Sequence, residues 1–132
     1  MATFNRFEEI GAWQKARELC RQVHALTVKP AFAEDFGLVK QIKNASGSVM
    51  DNIAEGFERE GKNEFLQFLS ISKGSCGETQ SQLYRALDWG YINQEEFDVT
   101  YNKAEDAKAK IKGLMMYLNQ SEFKGFKFKD RK

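Results

Sequence analysis

Apolar residues recur every three or four positions through four long stretches of the chain, which is the spacing of one buried face of an α-helix. The predicted helices cover about residues 7–28, 37–56, 63–89 and 94–119. Four helices of about 20 residues joined by short connections are typical of an up-down-up-down antiparallel four-helix bundle. The pattern therefore predicts an all-α fold, with residues 1–120 as the bundle and residues 121–132 as a separate C-terminal tail.

Helix-breaking residues separate the four stretches. Pro30 ends the first helix, because the residue before a proline is pushed out of the helical region, and residues 31–37 read as a loop. Gly61 is a candidate for a left-handed turn, and Asn63 is a candidate N-cap for the third helix. The segment Asn93-Gln94-Glu95-Glu96 has the form of a capping box at the start of the fourth helix.

The second predicted helix carries two stripes side by side between residues 41 and 59. An ordinary surface helix has one apolar stripe and a loosely charged back. Here a stripe of mostly polar residues borders the apolar one, formed by Gln41, Ala45, Ser48, Asn52, Glu55 and Arg59. This pattern predicts a helix that contacts more than one partner.

The third predicted helix has small residues on the side opposite its apolar seam. Gly74, Gly77 and Ser81 share this side. Each glycine costs on the order of 1 kcal/mol of helix propensity relative to alanine, so a compensating close contact is expected. We predict that a second helix packs tightly on this side, either from the same chain or from another subunit.

Four charged residues fall near these stripes, and they allow two interpretations. Glu55 and Glu78 could act as a general acid and base, or they could form a structural ion-pair network with Arg17 and Arg59. The structural interpretation is favoured, with Glu55 as the partner of Arg17 or Arg59, because no nucleophile, metal ligand or oxyanion donor accompanies the carboxylates. The residues predicted for polar packing or for a subunit interface are Arg17, Gln41, Ser48, Asn52, Glu55, Arg59, Gly74, Gly77, Glu78 and Ser81.

Bulk composition narrows the class of protein. The 132 residues include 20 Lys plus Arg and 19 Asp plus Glu, so the net charge of +1 argues against a surface that is basic throughout. Cys20 and Cys76 are expected to be buried free thiols rather than a disulfide. No signal peptide or run of about 20 apolar residues is visible, which leads to the expectation of a cytoplasmic protein with no membrane contact.

Reaction chemistry is not evident in the sequence. The single histidine, His24, lacks the Glu three residues before it that a di-iron bundle requires. No nucleophile elbow and no phosphate-binding loop is present. We therefore predict no catalytic residue, no metal, no cofactor and no small-molecule substrate, and we expect a protein that is not an enzyme.

The C-terminal tail is the best local candidate for contact with RNA or DNA. It interleaves three phenylalanines with basic residues, and basic side chains meet phosphates while aromatic rings stack on bases. Alternatively, Phe126 and Phe128 dock on the bundle or form an added strand. A weaker basic patch lies on the second and third helices. The candidate nucleic-acid residues are Lys40, Lys43, Lys73, Lys124, Lys127, Lys129, Arg131 and Lys132.

Several short motifs resemble one known family. These are Ala12–Arg17, Gly37-Leu38-Val39-x-Gln41, Ser48-x-x-x-Asn52-Ile53-Ala54-Glu55-Gly56, Glu64-Phe65-x-x-Phe68-Leu69, Gly74-Ser75-x-x-Glu78 and Leu87-Asp88-x-Gly90-Tyr91-Ile92. Together they resemble the bacterial four-helix-bundle proteins encoded in intervening sequences of 23S ribosomal RNA genes, over about residues 7–118. One difference is that Lys43-Asn44 stands where the family usually has two basic residues.

The resemblance implies an antiparallel four-helix bundle that assembles as a homopentamer. It also implies a distant kinship with the accessory variability determinants of diversity-generating retroelements, which bind reverse transcriptase and nucleic acid. The resulting hypothesis is a non-enzymatic oligomeric module that binds RNA or a ribonucleoprotein. The alternative hypothesis is a protein-binding scaffold that makes no contact with nucleic acid.

Overall fold

A computed structural model describes residues 4–120 of the chain. Within this range the protein has five α-helices and no strand, preceded by a 3-10 turn at Phe7–Glu9. The helices are α1 (Gly11–Thr27), α2 (Pro30–Ala33), α3 (Phe36–Glu58), α4 (Lys62–Asp88) and α5 (Gln94–Gln120). The all-helical prediction is confirmed for these residues, whereas the predicted tail at residues 121–132 lies outside the described range.

A short helix stands where the sequence predicted only a loop. Pro30 occupies the first turn of α2, a position at which proline's fixed φ angle favours a helix and its missing N–H is not needed. Phe32 of this helix is fully buried. Asp35 then caps α3, because its carboxylate accepts a hydrogen bond from the Leu38 N–H at 3.1 Å.

The turn before α4 differs in detail from the prediction. Glu60, not Gly61, adopts the left-handed backbone with φ of 69°, while Gly61 is extended with φ of −107°. Helix α4 begins at Lys62, so Asn63 lies inside it and is not the N-cap. The chain closes this turn through the hydrogen bond from the Glu60 N–H to the Phe57 carbonyl at 3.1 Å. The predictions for Gly61 and Asn63 were wrong because the position of this turn depends on where α3 ends. Helix α3 ends two residues later than predicted.

The capping box at the start of α5 is present as predicted. Asn93 Oδ1 accepts a hydrogen bond from the Glu96 N–H at 2.8 Å. In return, Glu96 Oε1 accepts from the Asn93 N–H at 2.9 Å. Just upstream, Gly90 has φ of 79° and ends the preceding segment. Two of the otherwise unsatisfied N–H groups at this helix start are therefore paired.

The four long helices pack around one apolar core. Helix α1 contacts α3 and α5, and α4 also contacts α3 and α5. The apolar stripe predicted for α3 is buried in this core. Fully buried core side chains come from all four helices and include Leu19, Ile42, Val49, Ile53, Phe57, Leu69, Leu83 and Ile111. Among residues 4–120, no helix is long and apolar enough to cross a membrane.

Helices α3 and α4 lie close together at Gly56. A Cβ atom at this position would lie 2.7 Å from Phe68 Cβ and 3.0 Å from Phe65 Cδ1 of α4. The contact is with an atom next to the backbone, so it cannot be relieved by rotating a side-chain end. Glycine at this position therefore sets how closely the two helices meet.

Candidate functional site

The polar stripe of α3 faces α4 and forms one wall of a groove between the two helices. The groove has a volume of about 470 Å³. Its lining is almost entirely polar and consists of Gln41, Asn44, Ala45, Ser48, Glu78, Ser81, Gln82 and Arg85. Residues that the sequence placed on two separate helices thus share one surface.

Hydrogen bonds connect three small polar side chains at the base of this groove. Asn52 Nδ2 donates to the Ser48 carbonyl and to Ser48 Oγ, both at 2.8 Å. Ser75 Oγ of α4 donates to Ser48 Oγ at 2.9 Å. A second link lies deeper, where buried Ser72 Oγ donates to the Val49 carbonyl at 2.6 Å. These hydrogen bonds join α3 to α4 and favour one fixed register between the two helices.

Arg85 joins the upper part of the groove to an exposed tryptophan, and sequence reasoning missed this residue. Its Nη1 donates to Gln41 Oε1 at 3.0 Å, and its Cζ lies 5.2 Å from the centre of the Trp89 ring. Arg85 follows Glu78 by seven positions, so both lie on one face of α4. Extending the predicted small face of Gly74, Gly77 and Ser81 by one more turn would have identified it.

Gln82 is the second groove residue that the sequence did not indicate. Its Nε2 donates to Glu78 Oε2 at 3.4 Å. Its Oε1 is buried and has no hydrogen-bond partner in the described part of the chain. A buried carbonyl oxygen without a partner costs roughly 1–3 kcal/mol. The groove wall therefore holds one acceptor that the described residues do not satisfy.

The ion pair predicted for Glu55 is formed with Arg59. Arg59 Nε and Nη2 both lie 3.0 Å from Glu55 Oε2, and the Arg59 guanidinium also lies 5.1 Å from the centre of the Phe68 ring. Arg17 is directed elsewhere, with its guanidinium 5.9 Å from the Trp13 ring. Since both members of the pair are half exposed, the expected contribution is at most about 1 kcal/mol.

The outer face of α4 carries large apolar side chains around the small residues that the sequence singled out. Ile71, Tyr84 and Trp89 are 51%, 50% and 53% exposed. No atom lies within 4 Å of a Cβ built on Gly74 or Gly77, apart from the backbone of α4 itself and the two chain neighbours. The Tyr84 ring beside them contacts Phe97 and Tyr101 of α5, but no helix of the described chain packs tightly on the two glycines, so of the two predicted contacts only one with another subunit remains a prediction. We call this surface the α4 outer face: Ile71, Gly74, Gly77, Glu78, Ser81, Tyr84, Arg85 and Trp89.

The predicted basic patch is divided between different flanks of the molecule. Lys40 and Lys43 are exposed on α3. Lys73 is exposed on α4 and precedes Gln80 by seven positions, and Gln80 Nε2 donates to Glu105 Oε2 of α5 at 2.8 Å. Lys73 therefore lies on the side of α4 that faces α5, away from the two α3 lysines. The remaining candidates, Lys124, Lys127, Lys129, Arg131 and Lys132, lie outside the described residues.

The described residues show no arrangement that indicates catalysis or metal binding. Among residues 4–120, no group of three or more His, Cys, Asp or Glu side chains could hold a metal ion, and His24 is exposed on α1. Cys76 is a buried free thiol, and burial raises its pKa to about 12. Burial also raises the pKa of the half-buried Cys20 thiol, which donates to the Ser46 carbonyl at 3.1 Å. Thiols in this state are poor nucleophiles.

The sequence profile of the 23S rRNA-intervening sequence proteins matches residues 8–113. The chain belongs to this family. The resemblance identified from the short motifs is thereby confirmed, including its extent along the chain.

One solved structure of the same fold supports the helical architecture. It is a protein of unknown function from the S23 ribosomal protein family of Bacteroides thetaiotaomicron VPI-5482. It is 21% identical in sequence, the alignment covers 79% of this chain and 97% of that one, and the TM-score is 0.72. No curated protein matches the chain.

Proposed function

We propose that the protein is a non-enzymatic helical-bundle module that acts as a homo-oligomer and binds RNA or a ribonucleoprotein in the cytoplasm. In this proposal α1, α3, α4 and α5 form an up-down-up-down antiparallel four-helix bundle. Contacts at both ends of α1 support that topology: Gly11 lies near Lys110, whereas Lys29 Nζ lies 2.7 Å from Glu96 Oε2. Residue numbers therefore rise along α1 in the direction in which they fall along α5, as expected for antiparallel helices.

The α4 outer face is the observation that carries the oligomer. Ile71 and Trp89 expose half of their surface on either side of two glycines that nothing in the described chain covers. Large exposed apolar side chains grouped on one surface mark sites of association. The family resemblance suggests five subunits.

Light scattering of the native protein tests the assembly. For five chains of 15.2 kDa each, we expect a single species about five times the mass of one chain. A monomeric mass at micromolar protein concentration would contradict the proposed oligomer. The four-helix topology would be unaffected by that result, so the two parts of the proposal are tested separately.

RNA binding is tested by titration at several salt concentrations. Phosphate contacts release counterions, so affinity should fall steeply as salt rises. The control is a DNA duplex of the same length, which separates preference for RNA from general attraction to phosphate. If the purified oligomer binds no RNA at micromolar concentration and low salt, a protein-binding scaffold becomes the better interpretation. Recovery of protein partners after nuclease treatment would support that second function.

A further inference from the structure

Helices α1 and α3 share an outer face that carries basic side chains from both helices. The Cys20 thiol of α1 donates to the Ser46 carbonyl of α3 at 3.1 Å, which fixes where the two helices touch. Arg21 is adjacent to Cys20 on the solvent side, and Lys43 lies one turn before Ser46 on the solvent side of α3. Both side chains are exposed, and they lie on the outer surfaces of two helices that contact each other.

Further basic residues extend this face along both helices. Arg17 and His24 lie one turn on either side of the Cys20–Arg21 position on α1, and Lys40 lies one turn before Lys43 on α3. All are exposed. We call this surface the α1/α3 basic face: Arg17, Arg21, His24, Lys40 and Lys43.

Carboxylates are scarce on the α1/α3 basic face. Residues 19–27 and residues 36–50 contain no Asp or Glu. Asp51 borders the face, and its charge contributes to the raised pKa of Cys20. Glu18, one turn before Arg21, forms an ion pair with Lys103 of α5, in which Lys103 Nζ lies 3.8 Å from the carboxylate. The positive charge of this face is therefore concentrated, although the whole chain carries a net charge of only +1.

The cations of this face are not engaged in ion pairs with described residues. Arg6, Lys15, Lys29, Arg59, Lys103 and Lys108 form ion pairs with described carboxylates, and the cations of the α1/α3 basic face are not among them. Gly47, one turn beyond Lys43, has no atom within 4 Å of a Cβ built on it, apart from its own helix. The surface directly around Gly47 is therefore open.

We propose that the α1/α3 basic face binds the phosphate backbone of RNA, with Arg21 and Lys43 as its central contacts. Arginine and lysine on two neighbouring helices, about 8–10 Å apart between axes, can contact phosphates on both sides of a strand. Such contacts fix position without reading sequence. The proposal rests on the proposed function, because it takes RNA as the polyanion.

The test compares two charge-matched variants of the full-length protein. R21E/K43E reverses the centre of the face, and K110E/K112E reverses two exposed lysines of α5, a helix that carries none of the five basic-face residues. Binding of a fluorescein-labelled RNA hairpin is measured by anisotropy across a salt series. For R21E/K43E we expect a dissociation constant about tenfold higher or more, and a salt slope smaller by about 1–2. K110E/K112E should bind nearly as wild type does.

Two further measurements make the outcome unambiguous. Light scattering and circular dichroism of each variant establish that mass and helicity are unchanged, and R21Q/K43Q gives a milder substitution if the charge reversal disturbs folding. A third variant, K124Q/K127Q/K129Q, neutralises the tail. If R21E/K43E or R21Q/K43Q folds and binds RNA as wild type does, the α1/α3 basic face is not the site, while the proposed function stands. If the wild-type protein itself binds no RNA, both fail.

Discussion

At the scale of single residues, four glycines inside helices have quite different surroundings. Gly56 is pressed against Phe65 and Phe68 of α4, whereas a Cβ on Gly47, Gly74 or Gly77 would meet nothing beyond its own helix. The sequence could single out Gly74 and Gly77 as costly, but it could not show that Gly56 alone has a steric reason within the chain. That reason depends on the distance between two helices, which the local sequence does not contain.

Substitution of these glycines by alanine should have opposite effects on stability. Gly56→Ala places a methyl group 2.7 Å from Phe68 Cβ, and overpacking of this kind typically costs about 1–3 kcal/mol. Gly47→Ala removes a flexible residue from a helix interior and should stabilise the protein by up to about 1 kcal/mol. Urea denaturation at one fixed protein concentration measures both. Equal stability of the two variants would contradict the close approach of α3 and α4 at Gly56.

At the scale of elements, the two stripes of α3 correctly predicted that this helix makes two different contacts. The apolar stripe meets the core, and the polar stripe borders α4 through Ser48 and Ser75. The sequence left open whether the polar stripe meets another helix of the chain or another subunit. The structure shows that part of it contacts α4, while the outer rim at Gln41 and Asn44 remains exposed in the groove.

The start of α5 offers a prediction for a single element. Asn93→Ala removes the acceptor for the Glu96 N–H and should lower the free energy of unfolding by about 0.5–2 kcal/mol, whereas Asn93→Ser keeps an acceptor and should lower it less. Chemical denaturation of both variants measures the difference. If alanine and serine are equivalent, the capping box does not stabilise this helix.

Glu96 makes the same element sensitive to pH. The Lys29 ammonium and the Asn93 N–H lower the pKa of its carboxyl group below the ordinary range. A lowered folded-state pKa means that the contribution is present above the unfolded-state pKa and is lost as the pH falls through the folded-state pKa. We therefore expect the melting temperature of wild type to fall more than that of E96Q between about pH 5 and pH 3. Parallel curves for the two proteins would argue against this linkage.

At the scale of the whole molecule, assembly should depend on the α4 outer face. Gly77→Leu adds a large side chain where the described chain leaves open space, so the bundle itself should still fold. If a second subunit packs there, the added side chain blocks it and the mass in solution should fall to that of a single chain. Light scattering gives the mass, and circular dichroism confirms helicity.

The matched control for that variant is Gly113→Leu. Gly113 is an exposed helical glycine of α5 with equally open surroundings, so the same substitution there should leave the mass unchanged. An unchanged mass in both variants would show that the α4 outer face is not the subunit interface.

The sequence by itself determined the helical class, the four long amphipathic stretches and the family. Each of these depends on local periodicity or on short motifs, and both can be read directly from the local sequence. Local chemistry also determined the Asn93–Glu96 capping box, since the partners lie three residues apart. For Glu55 the sequence offered Arg17 or Arg59 as the partner, and the structure shows the pair with Arg59, four residues away.

Only the tertiary structure decided which distant residues meet. The bonds from Ser75 to Ser48 and from Arg85 to Gln41 join residues 27 and 44 positions apart, and nothing local specifies the rotation of one helix against another. The same rotation separates Lys73 from Lys40 and Lys43, and it leaves open space around Gly74 and Gly77. Helix rotation and spacing are set by core packing across the whole bundle, which is why these surfaces could not be assigned from the sequence alone.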